Sequence, residues 1–172
     1  SSRTDTGVHA IGQAAVFRTT RWPAAAEAIP MALNTFLPRD IVARAAREVS
    51  NDLHPLRDSI GKRYRYHVYG SRIADPLGAG RHWWVRRRIS IDAMRAAAQH
   101  FIGVHDFVSF QTTGSPRSST IRHVRSLTIT SSPHMDGTLI QIDIEANGFL
   151  YNMVRNIVGT LVQVGVGRAN PS

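Results

Sequence analysis

The sequence predicts an α+β fold built on a largely antiparallel sheet. Apolar and polar residues alternate at Tyr64–Tyr69, Val124–Thr130 and Leu139–Glu145. Apolar residues recur at helical spacing in Ile91–Ile102 and Leu150–Val164, and strands precede a helix twice along the chain.

Taken in order, Gln13–Thr19 reads as a short strand. Trp22–Phe36 is Ala-rich and reads as a helix, bent or interrupted at Pro30, whose ring and missing N–H oppose a helix interior. Leu37–Asp40 is a turn, and Ile41–Val49 is read as a further strand. Tyr64–Tyr69 is an aromatic, alternating strand, and Ser71–Arg81, broken by Pro76, is a loop. Ser90 is placed to cap a helix over Ile91–Ile102, with Met94, Ala97, Ala98 and Phe101 on one face and Gly103 as its stop. Gln111–Thr120, rich in Ser, Thr, Gly and Pro, is a loop carrying Arg117. Val124–Thr130 and Leu139–Glu145 pair through Pro133–Gly137. Leu150–Val164 is a helix turning Met153, Ile157, Leu161 and Val164 inward.

The 172 residues suit one ordinary domain or two small lobes, and 42% hydrophobic residues supply a core. The formal net charge is +9, which favours a polyanionic partner, nucleic acid first and an anionic membrane second. The basic residues are arginines except Lys62. Arginine forks onto phosphate and stacks on bases, which suits RNA, although a GC-rich genome gives the same bias. Cysteine is absent, which excludes disulfides and thiolate metal sites and permits a reducing compartment. No apolar run approaches the ~20 residues of a membrane helix, and no secretory leader is visible. The chain opens at Ser1-Ser2-Arg3-Thr4-Asp5 without an initiator Met and is read as a candidate fragment.

Four clusters can carry chemistry. Arg3 to Ala10 sets Asp5 among threonines and before Gly7, which fits a plain turn as well as a presented carboxylate. Lys62 to Tyr66 places Tyr64 and Tyr66 on one strand face and Arg63 and Arg65 on the other. That is either a half-buried strand with a solvated basic face or an aromatic platform beside phosphate contacts. In Asn147 to Gly159, Arg155 interrupts an apolar helical run. A buried lone charge is unfavourable, so Arg155 must pair with something or reach a cavity, either in a structural ion pair or beside an acidic active-site partner. Trp83 to Arg88 interleaves aromatic and basic residues, as an RNA contact or as an exposed basic loop over tucked tryptophans. Histidines are scattered without metal-binding spacing, and the nucleophile-elbow, P-loop and dinucleotide-binding patterns do not occur.

Together the first three clusters resemble the TruA family of pseudouridine synthases. The family segment Gly-Arg-Thr-Asp-x-Gly-Val-His stands here as Ser2 to His9, followed by matching Gln13 and Phe17. Leu33-Asn34, Leu37-Pro38 and Asp40-Ile41 match further on. Lys62 to Tyr66 is similar to the family's tyrosine motif, Asp106-Phe107 with Ser109-Phe110 to a later loop, and Phe149 to Gly159 to its Met-Val-Arg-Asn-Ile-Val-Gly helix. The blocks keep the family's order over nearly the whole chain. Ser2 replaces the family's glycine, and Leu56-Arg57 replaces its usual Arg-Phe after a histidine kept here as His54.

The resemblance implies a pseudouridine synthase fold: a mixed, mainly antiparallel sheet flanked by helices, made of two RRM-like (ferredoxin-like) halves. The first half is expected to be truncated, with the family's opening strand-helix unit and its closing strand-helix material both missing. Residues 1–70 then form the remainder of the N-terminal lobe and 71–172 the C-terminal lobe. The implied activity is isomerisation of uridine to pseudouridine in the tRNA anticodon stem-loop, at tRNA positions 38 to 40. Asp5 would be the catalytic aspartate, Tyr64 the active-site tyrosine stacked on the uracil, and Arg155 the arginine paired with the aspartate. Arg3, Thr4, His9, Arg63, Arg65, Arg117, Arg122 and Asn156 would meet RNA. No cofactor and no metal are expected, and a cytoplasmic homodimer acting on tRNA is. A non-catalytic RNA-binding fragment is the alternative.

Overall fold

A computed structural model describes residues 4–112 and 119–170. The chain divides into two compact units, Ser1–Ser59 and Ile60–Ser172.

The first unit holds a 3-10 turn at Ala26–Ala28 and helix α1, Ile29–Asn34. Pro30 does not break this helix. It sits in the first turn, where its missing N–H has no intrahelical partner to lose. The helix is therefore shorter than the expected Trp22–Phe36. Among the described residues of this unit, no β-ladder forms. Gln13–Thr19 and Ile41–Val49, expected as strands, are not strands, because β-propensity makes a strand only where a neighbour accepts the backbone hydrogen bonds. The backbone of Ala43 is instead held by the side chain of Asn34, which donates to Ala43 O at 2.9 Å and accepts from Ala43 N at 2.8 Å.

The second unit is a five-stranded mixed sheet in the order β2-β1-β5-β4-β3. Its strands are β1 Lys62–Gly70, β2 Trp83–Val85, β3 Gly103–Asp106, β4 Ile121–His134 and β5 Gly137–Ala146. Only β1 and β2 are parallel; the other neighbours are antiparallel. The fold is α+β, as expected. β2 and β3 are short edge strands that the alternation pattern does not reveal, since three or four residues carry too little periodicity. β1 belongs to the second compact unit and pairs with β5 along its whole length.

Register assigns the two faces. Tyr64, Tyr66 and Val68 oppose Ile144, Ile142 and Ile140, on the face that the helices cover. Arg63, Arg65 and His67 oppose Glu145, Asp143 and Gln141 on the other. Helices α2, Ile91–Ala98, and α3, Met153–Gly165, press Met94, Ala97, Ala98, Met153, Ile157, Leu161 and Val164 into the covered face, all buried as the helical spacing requires. Burying each large aliphatic side chain contributes about 1.5–3 kcal/mol. Ser90 caps α2 by accepting from Ala93 N at 3.3 Å. The helices meet at Gly165, where a Cβ would lie 2.7 Å from Ile89 Cγ2 and 2.8 Å from Met94 Cγ, so only glycine allows that approach.

Candidate active site

Asp5 opens a tight turn in which Val8 N donates to Asp5 O at 3.0 Å. Gly7, at φ +78°, supplies the left-handed residue that such a turn demands at its third position. Asp5 is thus at a turn, as the plain reading of the sequence allowed, and it is exposed there, as are Thr4 and His9. Arg3 and Arg117 lie outside the described residues, as does Ser2. Of the Leu56-Arg57 pair, the Arg57 side chain is engaged locally, with Nε donating to Asp58 Oδ1 at 2.8 Å and Nη2 to Asp52 O at 2.9 Å.

The remaining site residues belong to the second unit. Tyr64 is 37% exposed, and its ring meets that of Phe149 edge to face, with centroids 5.1 Å apart and planes at 89°. Phe149 lies in the connection from β5 to α3. That connection is fastened to β4 by Asn147, whose side-chain oxygen accepts from His123 N at 3.0 Å and whose N–H donates to His123 O at 3.1 Å. The chain enters α3 through Asn152, at φ +59°, a left-handed conformation that asparagine tolerates better than most residues. Its side chain does not cap the helix but donates to Thr112 Oγ1 at 3.2 Å. Asn156 donates to Phe110 O at 2.8 Å, and Thr112 N to Tyr151 O at 3.1 Å. These three bonds fix the segment after β3 against the start of α3. Arg122 turns its Nη1 onto Ser119 O and Ile121 O, at 3.0 and 2.7 Å.

Arg155 is exposed in the first turn of α3, and among the described residues of its unit it forms no ion pair. Arg155 is not buried among its apolar neighbours: the inward positions on α3 are Met153, Ile157 and Val158, and Arg155 falls on the outward side. It stands at the positive end of the helix dipole, without an acidic residue in that turn, a position that disfavours a cation.

Arg63 and Arg65 behave differently. Arg63 Nη2 and Nε donate to Glu145 Oε2 at 2.7 and 3.1 Å. Arg65 forks onto Asp143, Nε to Oδ1 at 2.8 Å and Nη2 to Oδ2 at 3.2 Å. The Arg65 hydrogen bonds hold the Asp143 carboxyl below the usual carboxylate range, and those of Arg63, with Arg125 nearby, do the same for Glu145. Alternation in β1 signals a basic face. Nothing in β1 reveals that β5 brings acids of matching spacing opposite it, which only the register supplies. A second cluster that the sequence did not suggest joins the Ser71–Arg81 loop to the β4–β5 hairpin. Asp75 accepts from Leu77 N at 2.9 Å, and His134 Nε2 lies 2.9 Å from Asp75 Oδ2, while the rings of His134 and His82 both pack against Tyr69. Among the described residues, no three His, Asp or Glu side chains are grouped to hold a metal ion.

Comparison with known proteins gives a consistent result. A family profile described as tRNA pseudouridine synthase matches residues 97–172. Over 169 residues the chain is 46% identical to tRNA pseudouridine synthase A of Thermoanaerobacter pseudethanolicus, covering 98% of this chain and 67% of that protein. It is 42% identical over 171 residues to tRNA pseudouridine synthase A of Pelobacter propionicus, covering 99% and 68%. The protein of the same description from Geobacter sulfurreducens is 42% identical over 176 residues, covering 99% and 68%.

Proposed function

This chain belongs to the tRNA pseudouridine synthase A family, and from that premise we propose that it isomerises uridine to pseudouridine in the anticodon stem-loop of tRNA, with Asp5 as the catalytic carboxylate. The reaction breaks the N1–C1′ bond of the nucleotide, rotates the freed uracil and forms a C5–C1′ bond. The proton on C5 is lost and N1 gains one, so there is no net redox change and no cofactor is invoked.

Asp5 acts as an ionised carboxylate, adding to the base or assisting its departure from the sugar. Arg155 pairs with it: a guanidinium beside a carboxylate favours the charged form. Arg155 also helps to fill the space that the flipped base leaves. Tyr64 stacks on the uracil and is placed for proton transfer, since a base must leave its helical stack to be reached. Arg3, Thr4, His9, Arg117 and Arg122 serve RNA contacts. Arg63, Arg65 and Asn156 reach RNA only by giving up the partners described above, or act through them. The proposal includes a homodimer and a cytoplasmic location. Among the described residues, no helix is long and apolar enough to cross a membrane.

The observation that carries this reading is a contrast in side-chain engagement. Asp5, Tyr64 and Arg155 are exposed, and among the described residues of their own units neither Asp5 nor Arg155 forms an ion pair, whereas the neighbouring Arg63 and Arg65 are tied to carboxylates. The test is release of tritium from tRNA carrying C5-tritiated uridine, for this chain, its Asp5→Ala variant, and a version lengthened at both ends to the size of its relatives. Release that vanishes with Asp5→Ala supports the assignment. Bound tRNA without release from the lengthened protein would overturn it and leave a non-catalytic RNA-binding protein. Release from the lengthened protein alone would make this chain an incomplete piece of the enzyme.

A further inference from the structure

The segment joining β1 to α2, residues 71–90, has no role in the site described above. It carries Arg72, Arg81, Arg86, Arg87 and Arg88, all exposed. Its single carboxylate, Asp75, has a side chain only 2% exposed and is engaged by His134, so it places no negative charge on the surface. Elsewhere in the same unit Arg63, Arg65, Arg95 and Arg125 each meet an acid. Among the described residues, none of the five arginines of this segment forms an ion pair.

Topology gathers four of them. β1 and β2 run parallel, with Gly70 opposite Val85, so Arg72 leaves β1 and Arg86 leaves β2 at the same end of the sheet. Ser71 N donates to Val85 O at 3.2 Å, and Arg87 N turns back to the same oxygen at 2.8 Å, which bends Arg86–Arg88 across that end. Six residue steps along β1 take the chain from Tyr64 to Gly70, about 20 Å at the rise of a β-strand. A cationic strip that far from Tyr64 is out of reach of the nucleotide stacked there.

We propose that Arg72 and Arg86–Arg88 form a phosphate-binding strip for the body of the tRNA, separate from the contacts to the reacting nucleotide; this rests on the tRNA reading given above. Clustered, uncompensated arginines on an exposed edge attract a polyanion, and each phosphate they neutralise releases counterions and steepens the salt dependence of binding.

The test uses the full chain and a variant carrying Arg86→Gln, Arg87→Gln and Arg88→Gln, three exposed positions whose replacement leaves the core intact. tRNA binding is measured across a series of salt concentrations. The variant is expected to bind about tenfold or more weakly at low salt, with a log–log salt slope shallower by about two. An Arg→Lys triple variant is expected to keep most of the slope, and the loss is expected in KM rather than kcat. Unchanged affinity and slope in the Gln variant would overturn the strip and leave a solvated face. Loss of binding to anionic phospholipid vesicles with tRNA binding intact would also overturn it, in favour of a membrane surface. A wild-type chain that forms no pseudouridine while the variant still loses salt slope would sink the catalytic reading and keep the strip. Normal pseudouridine formation with an unchanged slope would do the reverse.

Discussion

Phe149 stands edge-on to Tyr64, ring centroids 5.1 Å apart and planes at 89°. The pair joins β1 to the connection that leads into α3, so the strand bearing Tyr64 and the helix bearing Arg155 share one aromatic contact. Edge-to-face pairs contribute about 0.5–1.5 kcal/mol beyond the area they bury. If that contact holds the Tyr64 ring in place for stacking, Phe149→Leu is expected to lower the single-turnover rate of pseudouridine formation by roughly two- to tenfold. Phe149→Tyr keeps an aromatic edge and is expected to stay near the wild-type rate. A well-folded Phe149→Leu protein with an unaltered rate would remove Phe149 from the positioning of Tyr64.

Acid is expected to loosen the polar face of the sheet. Hydrogen bonds from Arg65 and Arg63 depress the Asp143 and Glu145 carboxyls below their ordinary range. Groups with depressed folded values stabilise the fold fully above the unfolded range, near pH 4, and lose that contribution as pH falls through the folded values. The thermal midpoint should therefore fall as pH drops from about 5 towards 3. A double variant, Asp143→Asn with Glu145→Gln, should start lower at neutral pH and fall less over that window. Equal pH slopes in the two proteins would show that these pairs, which are partly exposed, contribute nothing measurable.

Much of the second unit was legible because its signals are long. Strict alternation over Ile140–Ala146 and helical spacing over the thirteen residues of α3 locate these elements, and the inward residues Met153, Ile157, Leu161 and Val164 follow from period alone. The short strands β2 and β3 exist through their neighbours, and no local pattern marks them. The failed strand at Ile41–Val49 makes the converse point: β-branched residues raise propensity, and a strand still needs a paired edge. At the candidate site, residue types could be read and environments could not. Arg155 looked buried because its neighbours are apolar, but helical geometry turns position 155 outward. The acids opposite Arg63 and Arg65 lie about eighty residues away along the chain, and only the register brings them together.

Asn156 is expected to act through structure. Its amide donates to Phe110 O at 2.8 Å, in a half-buried setting between α3 and the 3-10 turn at Val108–Phe110. Asn156→Leu leaves that carbonyl unpaired, which costs about 1–3 kcal/mol where the group stays buried. The variant should show a lower thermal midpoint. Asn156→Asp, which sets a carboxylate against a carbonyl oxygen, should be lower still at neutral pH and should recover in acid as the carboxylate is protonated. Full stability in both variants, with weakened tRNA binding, would instead make Asn156 a direct RNA contact.

Arg155 sets stability against activity. It occupies the third residue of α3, facing the positive end of the helix dipole, and the first turn holds no acidic residue to offset it. A cation there destabilises the helix and an anion stabilises it, each by about 0.3–1 kcal/mol at an exposed site. Arg155→Glu reverses the sign and is expected to raise the thermal midpoint at low ionic strength, an increase that shrinks in high salt. The same substitution sets a carboxylate where the proposed mechanism needs a guanidinium beside Asp5, so pseudouridine formation should fall by at least about a hundredfold, the scale of losing a charge-stabilising group. Arg155→Ala separates the two effects, with a smaller gain in stability and a comparable loss of rate. A destabilised, fully active Arg155→Glu protein would contradict both the dipole argument and the assignment of Arg155 to the active site.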